Sequence, residues 1–170
     1  MPTYIALLRA VNVGGTGKLP MTEFKAMCEA AGFEQVRTYI ASGNVVFKAS
    51  GTAQQVKSAL MQRLASHMGK PAEVFVRTAQ EMAEVLAGNP FSESPGHQTV
   101  AIFLDKAPPA DALAHIKGQN DEQLALGLRE IYVAYGSGMG QSKLKIPAAA
   151  QGTARNINTV AKLAEMAAAM

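Results

Sequence analysis

Apolar residues dominate positions 3–11, with Ile5, Leu7 and Leu8 inside the run, and this predicts a buried strand. In residues 21–31, Phe24, Met27, Cys28 and Ala31 recur at i, i+3, i+4 and i+7, which is one face of a helix. Gly32 follows where a C-cap glycine belongs. Residues 36–40 and 44–48 are short β-rich runs with Ala41-Ser42-Gly43 between them, a hairpin signature. Thr52 is placed to cap a helix through Met68 along Val56, Leu60 and Leu64, and Gly69 ends it. Residues 72–77 form another strand. The order β-α-β-β-α-β is ferredoxin-like.

The second half partly repeats this order. Thr78 caps a linking helix through Ala87, ended by Gly88-Asn89-Pro90, and residues 91–96 are a connector. Residues 98–105 read as a strand carrying Val100, Ile102, Phe103 and Leu104. Pro108-Pro109 opens a helix over 110–117. Residues 122–126 and 129–135 are paired strands. A glycine-rich loop at 136–140 and a break at Ile146-Pro147 precede a final helix over 156–170. The expected fold is therefore α+β with two ferredoxin-like subdomains, 1–77 and 78–170. No residue-level repeat stands out between the halves.

Composition changes this picture little. The 170 residues are 48% hydrophobic and 17% charged, enough to bury a core. Sixteen Lys and Arg against thirteen Asp and Glu give +3 with no basic run, which argues against a dedicated nucleic-acid binder. Cys28 is the only cysteine, so no intrachain disulfide can form, as suits a reducing cytoplasm. The N-terminal apolar run contains Arg9 and lacks a preceding basic region, a poor secretion signal. No apolar stretch approaches the ~20 residues of a membrane span. A cytoplasmic protein with no membrane partner is expected.

Candidate chemistry is sparse. Asn12-Val13-Gly14-Gly15-Thr16-Gly17-Lys18-Leu19-Pro20 joins a strand to a helix, where backbone N–H groups can turn toward an anion. It is neither a Walker loop nor a dinucleotide fingerprint. Asn12 stands where the first Walker glycine belongs and Leu19 where its Ser or Thr belongs, while Pro20 occupies the last fingerprint position. The plainer reading is a tight turn needing positive φ. Ala41-Ser42-Gly43-Asn44 serves turn geometry equally well, and no nucleophile elbow surrounds Ser42. Residues 153–159 hold cap residues, yet Arg155, Asn156, Asn158 and Thr159 exceed what one cap requires, and a helix N-terminus attracts anions. His67, His97 and His115 lack metal-ligand spacing. Cys28 reads as an inert core thiol, and Glu81, Glu84, Asp121 and Glu122 as solvated charges.

Four longer segments carry a family resemblance: residues 4–15 (YIALLRAVNVGG), 18–21 (KLPM), 39–47 (YIASGNVVF) and 153–160 (TARNINTV). With SKL at 142–144 they resemble, in order, the hallmark segments of the bacterial domain of unknown function 1697 family. The chain departs at Ala10, where glycine is common, and at Ile157, where an aromatic is common. The resemblance implies two ferredoxin-like subdomains and no established activity. The segments chosen for polarity are also those the resemblance picks out.

The leading expectation is one site for a small anion, a nucleotide or phosphate ester. Arg9, Lys18, Lys143 and Arg155 would supply charge. Asn12, Ser42, Asn44, Asn156, Asn158 and Thr159 would supply directional hydrogen bonds, and Gly14, Gly15 and Gly43 would let backbone approach. No catalytic residue, cofactor or metal is indicated, and the oligomeric state is open. The end of the first strand and the start of the third should be neighbours, with the last helix's start beside them. One alternative is an RNA-binding module using Tyr4, Tyr39 and Phe47. Another is a ligand-free interaction protein, its alanine-rich tail over 161–170 packing on a second copy.

Overall fold

The computed structural model describes residues 1–9, 19–39, 43–69, 71–136 and 141–170. The protein is α+β, with two four-stranded antiparallel sheets and four α-helices among the described residues. Two compact units divide it: Met1–Ala83 with Leu163–Met170, and Glu84–Lys162.

The first unit follows the predicted order: β1 (Thr3–Leu8), α1 (Met21–Ala30), β2 (Glu34–Tyr39), β3 (Asn44–Lys48), α2 (Ala53–Met68) and β4 (Val74–Thr78). Its strands lie in the order β2-β3-β1-β4. β1 is central and buried on both faces, which is why it reads as an unbroken apolar run. Tyr4, Ala6 and Leu8 alternate into a core with Phe24 and Cys28 of α1 and Val56, Leu60 and Leu64 of α2. Each buried leucine there stabilises the fold by about 1.5–3 kcal/mol. Phe33 stacks on Phe47 at 4.4 Å between ring centroids.

The helix ends follow from local chemistry. Thr52 and Gln55 form a reciprocal capping box at the start of α2, and Gly69 ends that helix at φ +72°. After α1, Phe33 N–H bonds Cys28 C=O and Gly32 N–H bonds Glu29 C=O, with Gly32 at φ +90°, a Schellman turn.

The second unit begins within α3 (Ala79–Ala87), at Glu84, then holds β5 (Thr99–Phe103), β6 (Gln123–Leu126), β7 (Glu130–Ala134) and β8 (Thr153–Asn156), which leads into α4 (Ile157–Ala168). The strand order β6-β7-β5-β8 matches that of the first sheet. The crossovers do not match. The helix expected over 110–117 is a single 3-10 turn, Ala112–His115. Its apolar residues, Ala112, Leu113 and Ile116, do not sustain a second turn, and Lys117 instead exchanges backbone hydrogen bonds with Lys145. Loops and turns thus cover this sheet, with Leu113, Leu144, Ile146 and Ala148 packed on Val100, Ile102, Ile131 and Val133. Residues 153–156, expected to lead the last helix, form β8. Four mostly polar residues give too short a pattern to declare a strand.

The structure exposes a repeat hidden in the sequence. β4 ends Val76-Arg77-Thr78 and β8 ends Ala154-Arg155-Asn156. Arg77 lies opposite Ile5 on β1, and Arg155 opposite Ala101 on β5. Each buried arginine donates from Nη1 to the carbonyl of the residue before it, at 3.1 and 2.9 Å. The next residue caps a helix in both cases: Thr78 accepts from Glu81 N–H and Asn156 from Thr159 N–H. Among the described residues no helix is long and apolar enough to cross a membrane.

Candidate functional site

The polar segments flank a defined junction in the first unit. Leu7 pairs with Asn44 across β1 and β3, and Leu8 N–H donates to Gly43 C=O at 2.9 Å. Arg9 N–H donates to Glu73 C=O at 3.1 Å, holding the chain to the end of the sheet. Gly43 has φ +89°, and a Cβ there would stand 2.8 Å from Leu8 Cβ. Only glycine fits this approach. Asn44 is fully buried and donates from Nδ2 to Tyr39 C=O at 2.9 Å, tying β3 to the end of β2. Arg9 is half-buried. Asn12, Gly14, Gly15, Lys18 and Ser42 lie outside the described residues, and so does the expected approach of Arg155 to Gly15.

The third segment belongs mainly to the second unit, where its residues have structural tasks. Arg155 is a strand residue, 7% exposed, and not a fork displayed at a helix N-terminus. Its Nη1 donates to Thr153 Oγ1 at 2.7 Å as well as to Ala154 C=O. Desolvation lowers its pKa to about 10, which leaves it a cation at neutral pH. Asn156 Oδ1 caps α4 by accepting from the N–H of buried Thr159 at 2.8 Å. Exposed Asn158 occupies the space a Cβ on Gly96 would need.

Lys143 instead lines a polar pocket of about 320 Å³ with Gly118, Asn120, Asp121, Glu122, Gln141 and Ser142. Here the sequence expectation for Glu122 is corrected. It is not a solvated charge but 5% exposed. Its Oε2 accepts from Ser142 Oγ at 2.5 Å, and its Oε1 from Asn120 N–H at 2.5 Å. The Ser142 hydroxyl, then the backbone N–H groups, hold the Glu122 carboxyl below its ordinary pKa. The polar run Gln119-Asn120-Asp121-Glu122 gave no periodic signal. SKL at 142–144 marked the other wall only through the family resemblance.

The remaining candidates are structural. Tyr4 and Phe47, named for base stacking, are core residues, and Tyr4 Oη donates to Gly51 C=O at 2.6 Å. Burial pushes the Cys28 thiol up to about 12, so it is no nucleophile. His67 pairs with Glu23 and His115 with Asp111, both at 3.2 Å and solvent-facing. Among the described residues no cluster of three His, Cys, Asp or Glu could hold a metal.

Comparison with known proteins adds family and fold. The family model described as "Protein of unknown function (DUF1697)" matches residues 1–132. The structure resembles that of the conserved bacterial protein SP0830 from Streptococcus pneumoniae, with TM-score 0.82 and 25% identity over 99% of each chain. No curated protein matches the sequence.

Proposed function

Because this chain belongs to the DUF1697 family of proteins of unknown function, whose membership assigns no activity, we propose its function from physical chemistry: it binds a small anion of the phosphate-ester or nucleotide class at the β1–β3 end of its first sheet. The observation that carries this reading is the 2.9 Å hydrogen bond from Leu8 N–H to Gly43 C=O. It brings together the points from which residues 10–18 and 40–42 depart. Those segments hold Asn12, Gly14, Gly15, Lys18 and Ser42. In this reading Lys18 and Arg9 balance the ligand's charge. The glycines let backbone N–H groups approach its oxygens, and Ser42 adds a directional bond. Asn44 is the keystone of the junction. Arg155, Asn156 and Thr159 have structural hydrogen bonds of their own, and they, Asn158 and Lys143 are left out of the proposed site. No reaction is assigned.

Two of the three aromatics disfavour an RNA-binding reading, since stacking on bases needs exposed rings and Tyr4 and Phe47 lie in the core, which leaves only half-buried Tyr39. A thermal-shift screen with inorganic phosphate, mononucleotides and sugar phosphates tests the proposal. A ligand of Kd about 1 mM, present at about 10 mM, adds roughly 1.4 kcal/mol of stability, a rise of about 3–6 °C in Tm for a chain of this size. The rise is expected in the natural protein and lost in Arg9→Ala and Lys18→Ala. No rise with any anion, or an equal rise in both variants, contradicts the proposal.

A further inference from the structure

The second unit contains a ribbon held down by one buried carboxylate. Residues 141–146 alternate in burial, with Ser142, Leu144 and Ile146 half-buried and Gln141, Lys143 and Lys145 exposed. Period-two burial is strand-like, yet the ribbon's pairing with Lys117 through Lys145 is an isolated bridge outside the named strands, with bonds of 2.9 and 2.7 Å. So few ladder bonds leave such a segment at the low end of local stability. Glu122 is the polar anchor. It directly precedes β6, which pairs with β7, so it is fixed to the sheet. Its Oε1 accepts from Asn120 N–H of its own loop and its Oε2 from Ser142 O–H of the ribbon, both at 2.5 Å. The Ser142 hydroxyl then accepts from Leu144 N–H at 3.2 Å, so one side chain both holds the ribbon and shapes its turn. Gly118, at φ +73°, leaves room for the Lys143 carbonyl where a Cβ would stand. Ribbon and loop enclose the 320 Å³ pocket between them.

We propose that residues 141–145 are a strap latched by the Glu122–Ser142 hydrogen bond, and that releasing the latch opens the pocket between strap and loop without unfolding the sheet beside it. The ionised carboxylate suits the latch best: it accepts at both oxygens, from a backbone N–H on one and a hydroxyl on the other, and charge strengthens both bonds. Its low pKa agrees with this. The strap's remaining hold on the sheet is apolar, through Leu144 and Ile146.

Hydrogen exchange read at single amides tests the latch. In Ser142→Ala the amides of Lys117, Leu144 and Lys145 should exchange about tenfold faster, the worth of a hydrogen bond to a charged group. The amides of β5 and β7 should keep their rates. Ser142→Thr, which keeps the hydroxyl, should restore protection, and Glu122→Gln, which keeps the shape without the charge, should lose part of it at the same three amides. Asp111→Ala, which removes only the exposed contact to His115, should change nothing there. Unchanged exchange at the three amides in both Ser142→Ala and Glu122→Gln overturns the proposal. So does equal acceleration throughout β5 and β7, because the bond then supports the whole unit and latches nothing.

Discussion

Replacing Gly43 by alanine strikes the junction on which the proposed anion site rests. Two costs separate cleanly there. The first is conformational. Gly43 sits at φ +89°, where an L-residue is disfavoured by about 1–2 kcal/mol. The second is steric. The added Cβ would lie 2.8 Å from Leu8 Cβ, and Leu8 is fully buried on the central strand with nowhere to retreat. Relieving that overlap requires β1 and β3 to part, an overpacking cost of about 1–3 kcal/mol. Reduced freedom of the unfolded chain returns about 0.4–1 kcal/mol. The net loss should be about 2–4 kcal/mol, a large share of the roughly 5–15 kcal/mol that holds a typical domain. Gly32→Ala is the matched control, because its φ is +90° and nothing lies within 4 Å of the added Cβ. It carries the conformational cost alone. Urea unfolding of both variants gives the difference directly, and Gly43→Ala should be the less stable by about 1–3 kcal/mol. Equal destabilisation would show that the close approach of Leu8 to Gly43 does not exist in solution.

Three further outcomes follow from the same structure. Thr52→Ala removes half of the α2 capping box and should cost about 1 kcal/mol in urea unfolding, with Gln55→Ala smaller. The Cys28 pKa rises from 9.0 to about 12 by burial, so the folded protein keeps this proton when the unfolded chain loses it. Stability from this group is therefore intact below pH 9 and falls above it, by at most about 1.4 kcal/mol per pH unit, until the folded thiol ionises. Urea midpoints between pH 8 and 10.5 should fall less steeply in Cys28→Ala than in the natural protein. Arg155→Ala removes the buried donor to Thr153 Oγ1 and Ala154 C=O and should cost about 1–3 kcal/mol, while any phosphate-induced rise in Tm persists.

The legible parts of the fold are those set by neighbours in sequence. Residues 3–8 gave a strand because both faces of β1 are buried, and α1 and α2 were marked by apolar spacing, caps and the terminal glycines Gly32 and Gly69. The misread parts depend on partners distant in sequence. Residues 110–117 look helical from Pro108-Pro109 and their alanines, but Lys117 is claimed by Lys145. β8 is four residues long, and Thr153-Ala154-Arg155-Asn156 resembles a helix lead-in until β5 pairs with it. The anchor role of Glu122 needs Ser142, twenty residues away, and no local pattern announces it. Of the candidate site, sequence polarity found the Arg9 and Asn44 ends of the junction. It also drew in Arg155 and Asn156, whose polarity serves a buried strand and a helix cap.

The central claim, that the β1–β3 end receives an anion, is most directly tested by titrating inorganic phosphate into the ¹⁵N-labelled protein and following its amide resonances. Saturable shifts of the Leu8, Arg9, Gly43 and Asn44 amides are expected in the millimolar range, absent in Lys18→Ala. The claim is contradicted if those four amides stay fixed up to about 50 mM phosphate, many times the Kd of about 1 mM assumed for the thermal-shift estimate, or if the shifts fall only in the second unit.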